Sequence, residues 1–329
     1  MRPPGFWWHP PDRPGLQARL LAPLGALTAG ATARRVARAP AYTASVPVIC
    51  VGNLTAGGAG KTPTTIALVQ MLAGHGITAH IISRGYGGRL TGPVAVNEQR
   101  HSAEEVGDEP LLMAAFAPTW VAKDRAEGAR AAEEAGAQAL ILDDGFQNPS
   151  LAKDLSIIVI DAATGFGNGR CLPAGPLREP VAAGMARAQL ALAIGGPADQ
   201  ARFDQVWRGA VTVPLARGAL TPLETGMPWQ GLRALAFAGI GRPEKFFDTL
   251  RDLGADLQGT VALDDHQSIS PALLRRLLDE ARAKGAQLVT TEKDVARIPA
   301  SMRSAVLTLP VRLTFQDGAA LNDALNTLF

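Results

Sequence analysis

An α/β fold, with a mostly parallel sheet covered by helices on both faces, is what this chain of 329 residues predicts. Three observations carry it. From Val46 onward short β-branched runs (VPVICVG, AHIISRGY, AQALILDDG, LSIIVID, LALAIGG) alternate with stretches of helical composition. The runs are apolar throughout instead of at every second residue, the pattern of strands buried on both faces of a parallel sheet. Between the first two, a glycine-rich turn leads directly into TTIALVQML, so strand, loop and helix follow one another without a break.

The helix after that turn is expected over Thr64 to Ala73. A second, Asp124 to Ala135, sets charges on one side and alanines on the other. Near residue 228 the pattern restarts: RALAFAGIG reads as a strand, PEKFFDTLRDLG and SPALLRRLLDEARAKG as helices, AQLVTT as a further strand. Ser270 before Pro271 is a helix start and Gly285 a helix stop. The proline-containing stretch Pro214 to Trp229 reads as the connection between lobes. The expected division is an N-terminal segment 1–40, a nucleotide-binding domain 41–225 and a second, smaller α/β lobe 226–329.

An apolar fraction of 47% supports a sizeable core. A net charge of +2 gives no bulk field for nucleic acid, so no nucleic-acid partner is expected. Cys50 and Cys171 have neither zinc spacing nor the density of a disulfide scaffold, and read as two reduced thiols. Leu20 to Ala33 is an uncharged stretch followed by Arg34, Arg35 and Arg38. It is shorter than the ~20 apolar residues of a spanning helix, and its charges follow instead of preceding it as in a signal peptide. Two readings fit it: a helix lying in a membrane interface, with Phe6, Trp7 and Trp8 at headgroup depth and the arginines on anionic lipid, or a helix packed on the protein's own surface.

The most specific local pattern is the turn itself, Gly52 to Thr62. Thr55, Ala56, Gly57, Gly58, Ala59, Gly60, Lys61 and Thr62 form a GGxGKT-type phosphate loop between strand and helix. Glycines there let backbone N–H groups close around phosphate oxygens, Lys61 reaches the β and γ phosphates, and Thr62 offers a hydroxyl to Mg²⁺. ATP and Mg²⁺ are therefore the expected cofactors. The stricter form of the motif has glycine where this chain has Thr55, and switch ATPases with the GGxGKT loop carry a lysine at Ala56. Adjacent carboxylates, Asp143 and Asp144, end the run LILDD and suit the same metal. For orienting or deprotonating a hydroxyl acceptor, the residues alone offer Asp108, Glu109 and His266 without choosing among them.

Taken together the motifs resemble the tetraacyldisaccharide 4'-kinases of lipid A synthesis. VGNLTAGGAGKTP (51–63), SRGYGG (83–88), EVGDEP (105–110), LDDGFQ (142–147), LPAGPLRE (172–179), DDHQ (264–267) and TTEKD (290–294) follow in that family's order. PGFWW and the apolar helix after it also resemble the family's membrane-facing start. The resemblance implies a P-loop kinase that uses ATP and Mg²⁺ to phosphorylate the 4'-hydroxyl of a tetraacylated glucosamine disaccharide 1-phosphate, forming lipid IVA. It implies an enzyme peripheral to the cytoplasmic face of the inner membrane, with the lipid A disaccharide precursor and an anionic membrane surface as partners. It implies Asp108 as the catalytic carboxylate with His266 as its partner, Lys61 on the phosphates, and Asp143 and Asp144 holding Mg²⁺ beside Thr62. Arg178 and Glu179 fall in a motif near the site without an assigned role. Asn148 and Gln267 stand where many members have histidine.

Two other readings use the same loop: a membrane-associated regulatory ATPase that transfers phosphate only to water, and a soluble small-molecule kinase whose N-terminal helix merely packs on its own domain. A GTPase is disfavoured, because TTEKD leaves Lys293 and Asp294 adjacent where the guanine-reading motif separates them by one residue.

Overall fold

The computed structural model describes residues 3–265 and 267–329, so His266 lies outside the described residues. Thirteen strands among them form two sheets. The larger contains β1 (Val48–Gly52), β2 (Ala79–Ser83), β3 (Val94–Ala95), β4 (Thr119–Val121), β5 (Ala139–Asp143), β6 (Leu155–Asp161), β7 (Leu190–Ile194), β8 (Leu215–Pro222) and, from the end of the chain, β13 (Val311–Asp317). Their order is β13-β8-β7-β6-β1-β5-β2-β4-β3. Only the two outermost pairings, β13 with β8 and β3 with β4, are antiparallel. The four-stranded sheet, β10-β9-β11-β12, is parallel throughout and is built from β9 (Arg233–Ala238), β10 (Asp256–Ala262), β11 (Gln287–Thr291) and β12 (Leu307–Leu309).

The α/β expectation holds, and its physical reason is visible strand by strand. β1, β2, β5 and β7 are buried at every residue because helices cover both faces. On one face α2 (Lys61–Gly74) and α11 (Ala319–Asn326) supply Ile66, Leu68, Leu72, Leu321 and Leu325. On the other, α5 (Arg125–Glu134), α6 (Val181–Met185) and α7 (Pro197–Trp207) supply Ala129, Ala132, Met185 and Phe203. The smaller sheet repeats the arrangement with α8 (Pro243–Asp252) and α9 (Pro271–Ala283). Helix starts follow the sequence: Asp124 accepts from the Ala126 N–H, and Ser270 from the Leu273 N–H. Two short helices, α3 (Ala103–Val106) and α4 (Asp108–Met113), and α10 (Glu292–Ala296) complete the set apart from the N-terminal helix.

Two expectations are corrected. The stretch read as a connector, Pro214 to Trp229, contains β8, which continues the large sheet beyond β7. Its prolines mark the ends of the strand instead of excluding one. The last strand and helix, 311–326, return to the large sheet, so the second lobe does not run to residue 329. A seven-residue run such as VRLTFQD specifies a strand but not its partner.

Helix α1 (Gly15–Val36) packs along one side on the protein's own surface and presents leucines along another. Ala18, Gly25 and Thr32, spaced by seven residues, are buried against the protein. Leu16, Leu20, Leu24 and Leu27 are 50–72% exposed. Among the described residues no helix is long and apolar enough to cross a membrane. The turn before it, Gly5–Trp8, is fixed by Asn168, whose backbone N–H donates to the Trp7 carbonyl and whose side-chain amide donates to that of Phe6. Both cysteines are free, and burial pushes the Cys50 thiol up to about 12, which leaves it inert.

Candidate active site

The loop between β1 and α2 turns through two left-handed glycines, Gly57 and Gly60. At Gly60 a side chain is excluded twice over: φ is 95°, and a Cβ would lie 2.7 Å from Ile194 Cδ1. Asn53, fully buried, braces the loop by donating to the carbonyls of Thr55 (2.8 Å) and Gly57 (3.3 Å). Its side-chain oxygen accepts from Lys61 Nζ at 3.4 Å. The ammonium of Lys61 is thereby held over the loop, 3.8 Å from Asp144 Oδ1.

Asp143 ends β5, beside β1, Asp144 follows it in the turn, and their environments differ. Asp144 lies at φ 50°, paired with Arg178 at 2.8 and 3.2 Å. Burial acts to raise its carboxyl, but Lys61 and Arg178 outweigh that and hold it below the usual range. Asp143 is buried, accepts from Ser83 Oγ at 3.2 Å through Oδ2, and leaves Oδ1 without a partner among the described residues. Burial first, then Glu109 and Asp144, push it up to about 7. A buried carboxylate oxygen with no donor, pressed by two other carboxylates, is chemistry that a hard divalent cation relieves. Asp143, with Asp144 next to it in the chain, has the donor chemistry that fits Mg²⁺. Among the described residues no three His, Cys, Asp or Glu side chains converge, and Mg²⁺ held by one or two carboxylates plus phosphate needs no such cage.

Behind these groups lies a network that the sequence left without roles. Gln147 donates to the Asn53 carbonyl and to Glu179, both at 3.0 Å, and accepts from Arg178. Glu179 in turn pairs with Arg187. Phosphate loop, the Asp143–Asp144 pair and the LPAGPLRE segment are thus one connected unit. Arg125, 2% exposed, adds a buried cation whose guanidinium is lowered by burial and raised by Asp143 and Asp144.

Asp108 opens α4 and is 4% exposed. Gly107 before it has φ 92°, and a Cβ there would lie 2.7 Å from the Tyr86 carbonyl. That contact packs the SRGYGG and GDEP segments backbone against backbone. Asp108 Oδ1 accepts from the Glu109 N–H at 3.0 Å. Glu109 meets Lys293 of the second lobe at 3.2 Å, and Lys293 is 3.8 Å from Asp265. Burial pushes the Lys293 ammonium down, but Glu109, Asp108 and Asp265 outweigh it and hold it above the ordinary lysine range. TTEKD therefore faces α4. A second bridge between lobes joins Arg242 to Asp161 at 2.5 Å. The structure brings Lys61, Asp143 and Asp144 together, and Glu109 beside Asp108 acts on the same Asp143. A cavity of about 200 Å³ opens at Asp108, lined also by Tyr86, Gly107, Ser268 and Arg297. A larger one, about 510 Å³, lies at Thr225 to Pro228 beside Pro310 and contains none of these groups.

A phosphate loop after the central strand of a mostly parallel sheet, with adjacent carboxylates at the end of the neighbouring strand, defines a protein of the P-loop nucleoside-triphosphate-binding class. The model of the tetraacyldisaccharide-1-P 4'-kinase family matches residues 17–329, and the chain belongs to that family. A tetraacyldisaccharide 4'-kinase of Dinoroseobacter shibae is 68% identical, covering 100% of this chain and 98% of the relative. One of Jannaschia sp. is 56% identical over 99% and 98%, and one of Rhodospirillum centenum 52% identical over 100% and 97%. The fold is also that of the crystal structure of LpxK from Aquifex aeolicus in complex with ATP, at a TM-score of 0.73 and 24% identity, covering 95% of this chain and 100% of that one.

Proposed function

We propose that this ATP-dependent kinase transfers the γ-phosphate to the 4'-hydroxyl of a tetraacylated glucosamine disaccharide 1-phosphate, forming lipid IVA, and works from the cytoplasmic face of the inner membrane. The observation that carries the reading is Asp143: the adjacent Asp144 lies 3.8 Å from Lys61 of the phosphate loop, and Asp143 itself accepts from Ser83, the first residue of the segment packed on the Asp108 turn. This links the donor-side loop to the acceptor-side turn through the end of β5.

In this reading the loop N–H groups and Lys61 hold the β and γ phosphates, and Asn53 keeps Lys61 in place. Asp143, Asp144 and Thr62 would hold Mg²⁺, which would supply positive charge for the transferring phosphate. Asp108 orients the attacking hydroxyl and takes its proton, with His266 as its partner. Phosphoryl transfer asks mainly for positioning and charge, so a bound, ordered acceptor matters more than a strong base. The exposed leucines of α1 with Trp8 and the following arginines supply contact with an anionic membrane surface, where a tetraacyl acceptor resides. A regulatory ATPase would leave the Asp108 turn and its cavity without a task.

Label transfer tests the proposal. With γ-labelled ATP and a tetraacyl disaccharide 1-phosphate in mixed micelles, label enters the lipid with the native protein and not with Lys61→Ala. ATP hydrolysis with no labelled lipid would instead support the regulatory ATPase and remove the acceptor roles of Asp108 and His266.

A further inference from the structure

Asp108 and Arg297 are 189 residues apart in the chain and on different lobes, yet their side chains meet with 4% and 6% exposure. Three partners on the second lobe fix the guanidinium of Arg297. Nη1 donates to the Gln267 carbonyl at 2.8 Å, Nη2 to the Gly239 carbonyl at 2.7 Å, and Nη2 also pairs with the fully buried Asp294. Asp294 is itself held by the Gly239 N–H and the Thr291 hydroxyl. The plane of the guanidinium is therefore set without any help from the first lobe.

The remaining donor is what matters. Arg297 Nε is buried, has no hydrogen-bond partner among the described residues, and lies 3.7 Å from Asp108 Oδ2. An arginine serving only its own lobe would spend this N–H there or leave it in water, since a buried orphan donor costs about 1–3 kcal/mol. Here it lies against Asp108, a buried first-lobe carboxylate that lines the same cavity as Arg297. A relative shift of roughly 0.7 Å between lobes would turn the ion pair into a charge-assisted hydrogen bond. Lys293, on the same helix turn, meets Glu109 and so guides that approach.

We propose that Arg297 is a positioning residue for Asp108: the second lobe delivers it, and it fixes the rotation of the carboxylate when the lobes close on the acceptor. The proposal rests on the reading of Asp108 as the carboxylate that handles the acceptor hydroxyl. Two oxygens offer about four lone-pair sites. With the Glu109 N–H on Oδ1 and Arg297 on Oδ2, the carboxylate cannot rotate, and its remaining lone pairs point in fixed directions.

A double-mutant cycle in the full-length protein tests this, with Arg297→Gln, Asp108→Asn and the pair assayed by transfer of labelled phosphate into lipid over long incubations. Arg297→Gln is expected to lower the turnover number about 10- to 100-fold, within the range a positioned base contributes, with KM for ATP changed less than about twofold. In the Asp108→Asn background the same change should cost less than about threefold, because its target is gone. Equal fold-losses in both backgrounds, or native turnover in Arg297→Gln, would overturn the proposal while leaving the reading of Asp108 intact. Native turnover in Asp108→Asn alone would remove that reading, and the proposal with it. Arg297→Lys keeps the charge beside Asp294 but lacks the fork. It should show a smaller loss with the same non-additivity, and it decides the matter if the glutamine variant does not fold.

Discussion

Replacing Asn168 should loosen the N-terminal turn from the body of the protein, and the size of the effect follows from its bonds. The side chain is 1% exposed. It donates to the Phe6 carbonyl at 3.1 Å and the Ala174 carbonyl at 2.9 Å, and accepts from the Arg170 N–H at 3.1 Å. Three bonds at about 1 kcal/mol each, with the Ala174 carbonyl left buried and unpaired, give about 3–5 kcal/mol for Asn168→Ala. Two contacts survive, the Asn168 N–H to the Trp7 carbonyl and Trp7 Nε1 to the Pro173 carbonyl, so the turn should open more often without detaching completely. Asn168→Asp is the sharper variant. It keeps the shape and the acceptor for Arg170 but turns a second oxygen on two carbonyls, so it should lose at least as much as alanine. Urea unfolding gives the free energies, and the rate of protease cleavage between residues 9 and 15 reports opening of the turn. A loss below about 1 kcal/mol for alanine, or an aspartate variant clearly more stable than alanine, would show that these bonds do not hold the segment.

Two other perturbations have signs fixed by the structure. In chelator-treated protein Asp143 holds its proton to about 7, whereas the unfolded chain loses it near 3.8. Between those values the folded state binds the extra proton, so stability falls as pH rises and stays low above pH 7. The difference amounts to about 4 kcal/mol, at 1.36 kcal/mol per pH unit. Asp143→Asn should abolish that slope in urea titrations from pH 4 to 8, and a slope unchanged by the variant would refute the assignment to Asp143. On α1, Leu20→Glu with Leu27→Glu alters two side chains that are 71% and 70% exposed. Unfolding should shift by less than about 1 kcal/mol, while binding to anionic vesicles, measured by sedimentation, should weaken about 100-fold or more if both leucines enter the interface. Equal binding by native and variant protein would mean that this face does not touch lipid.

How much of this could be read in the sequence depended on whether the chemistry was local. The phosphate loop and the Asp143–Asp144 pair were legible because a few consecutive residues specify strand, turn and charge together. The parallel core was legible from strands apolar at every position. The pairing of Asp108 with Arg297 was not, since neither TTEKD nor the arginine after it says which surface α10 will meet. Asn53, Gln147 and Asn168 were also missed, although each is an amide in a glycine- or aspartate-rich segment where a buried backbone needs a brace. Their signal is the turn itself: a loop with many unpaired carbonyls requires a nearby donor. Strand β8 was hidden by its flanking prolines, and the destination of β13 by the absence of any partner signal within the strand.

The return of β13 to β8 has a consequence for how the second lobe is attached. The chain leaves the large sheet at Pro222 and re-enters it at Val311, and these two residues are direct partners in the antiparallel register. The whole of 223–310 is therefore a looped-out insert whose entry and exit lie side by side. A unit tethered at one narrow place swings about that place like a page about its spine, and cannot slide or twist far without breaking the β8–β13 pairing. It also means that the edge of the catalytic sheet is completed by residues synthesised after the insert, so the nucleotide-binding core closes last. A released chain lacking only 311–329 would hold the phosphate loop, both carboxylates and every strand of the second lobe's own sheet, with an unpaired edge at β8 and bare apolar surface where α11 belongs.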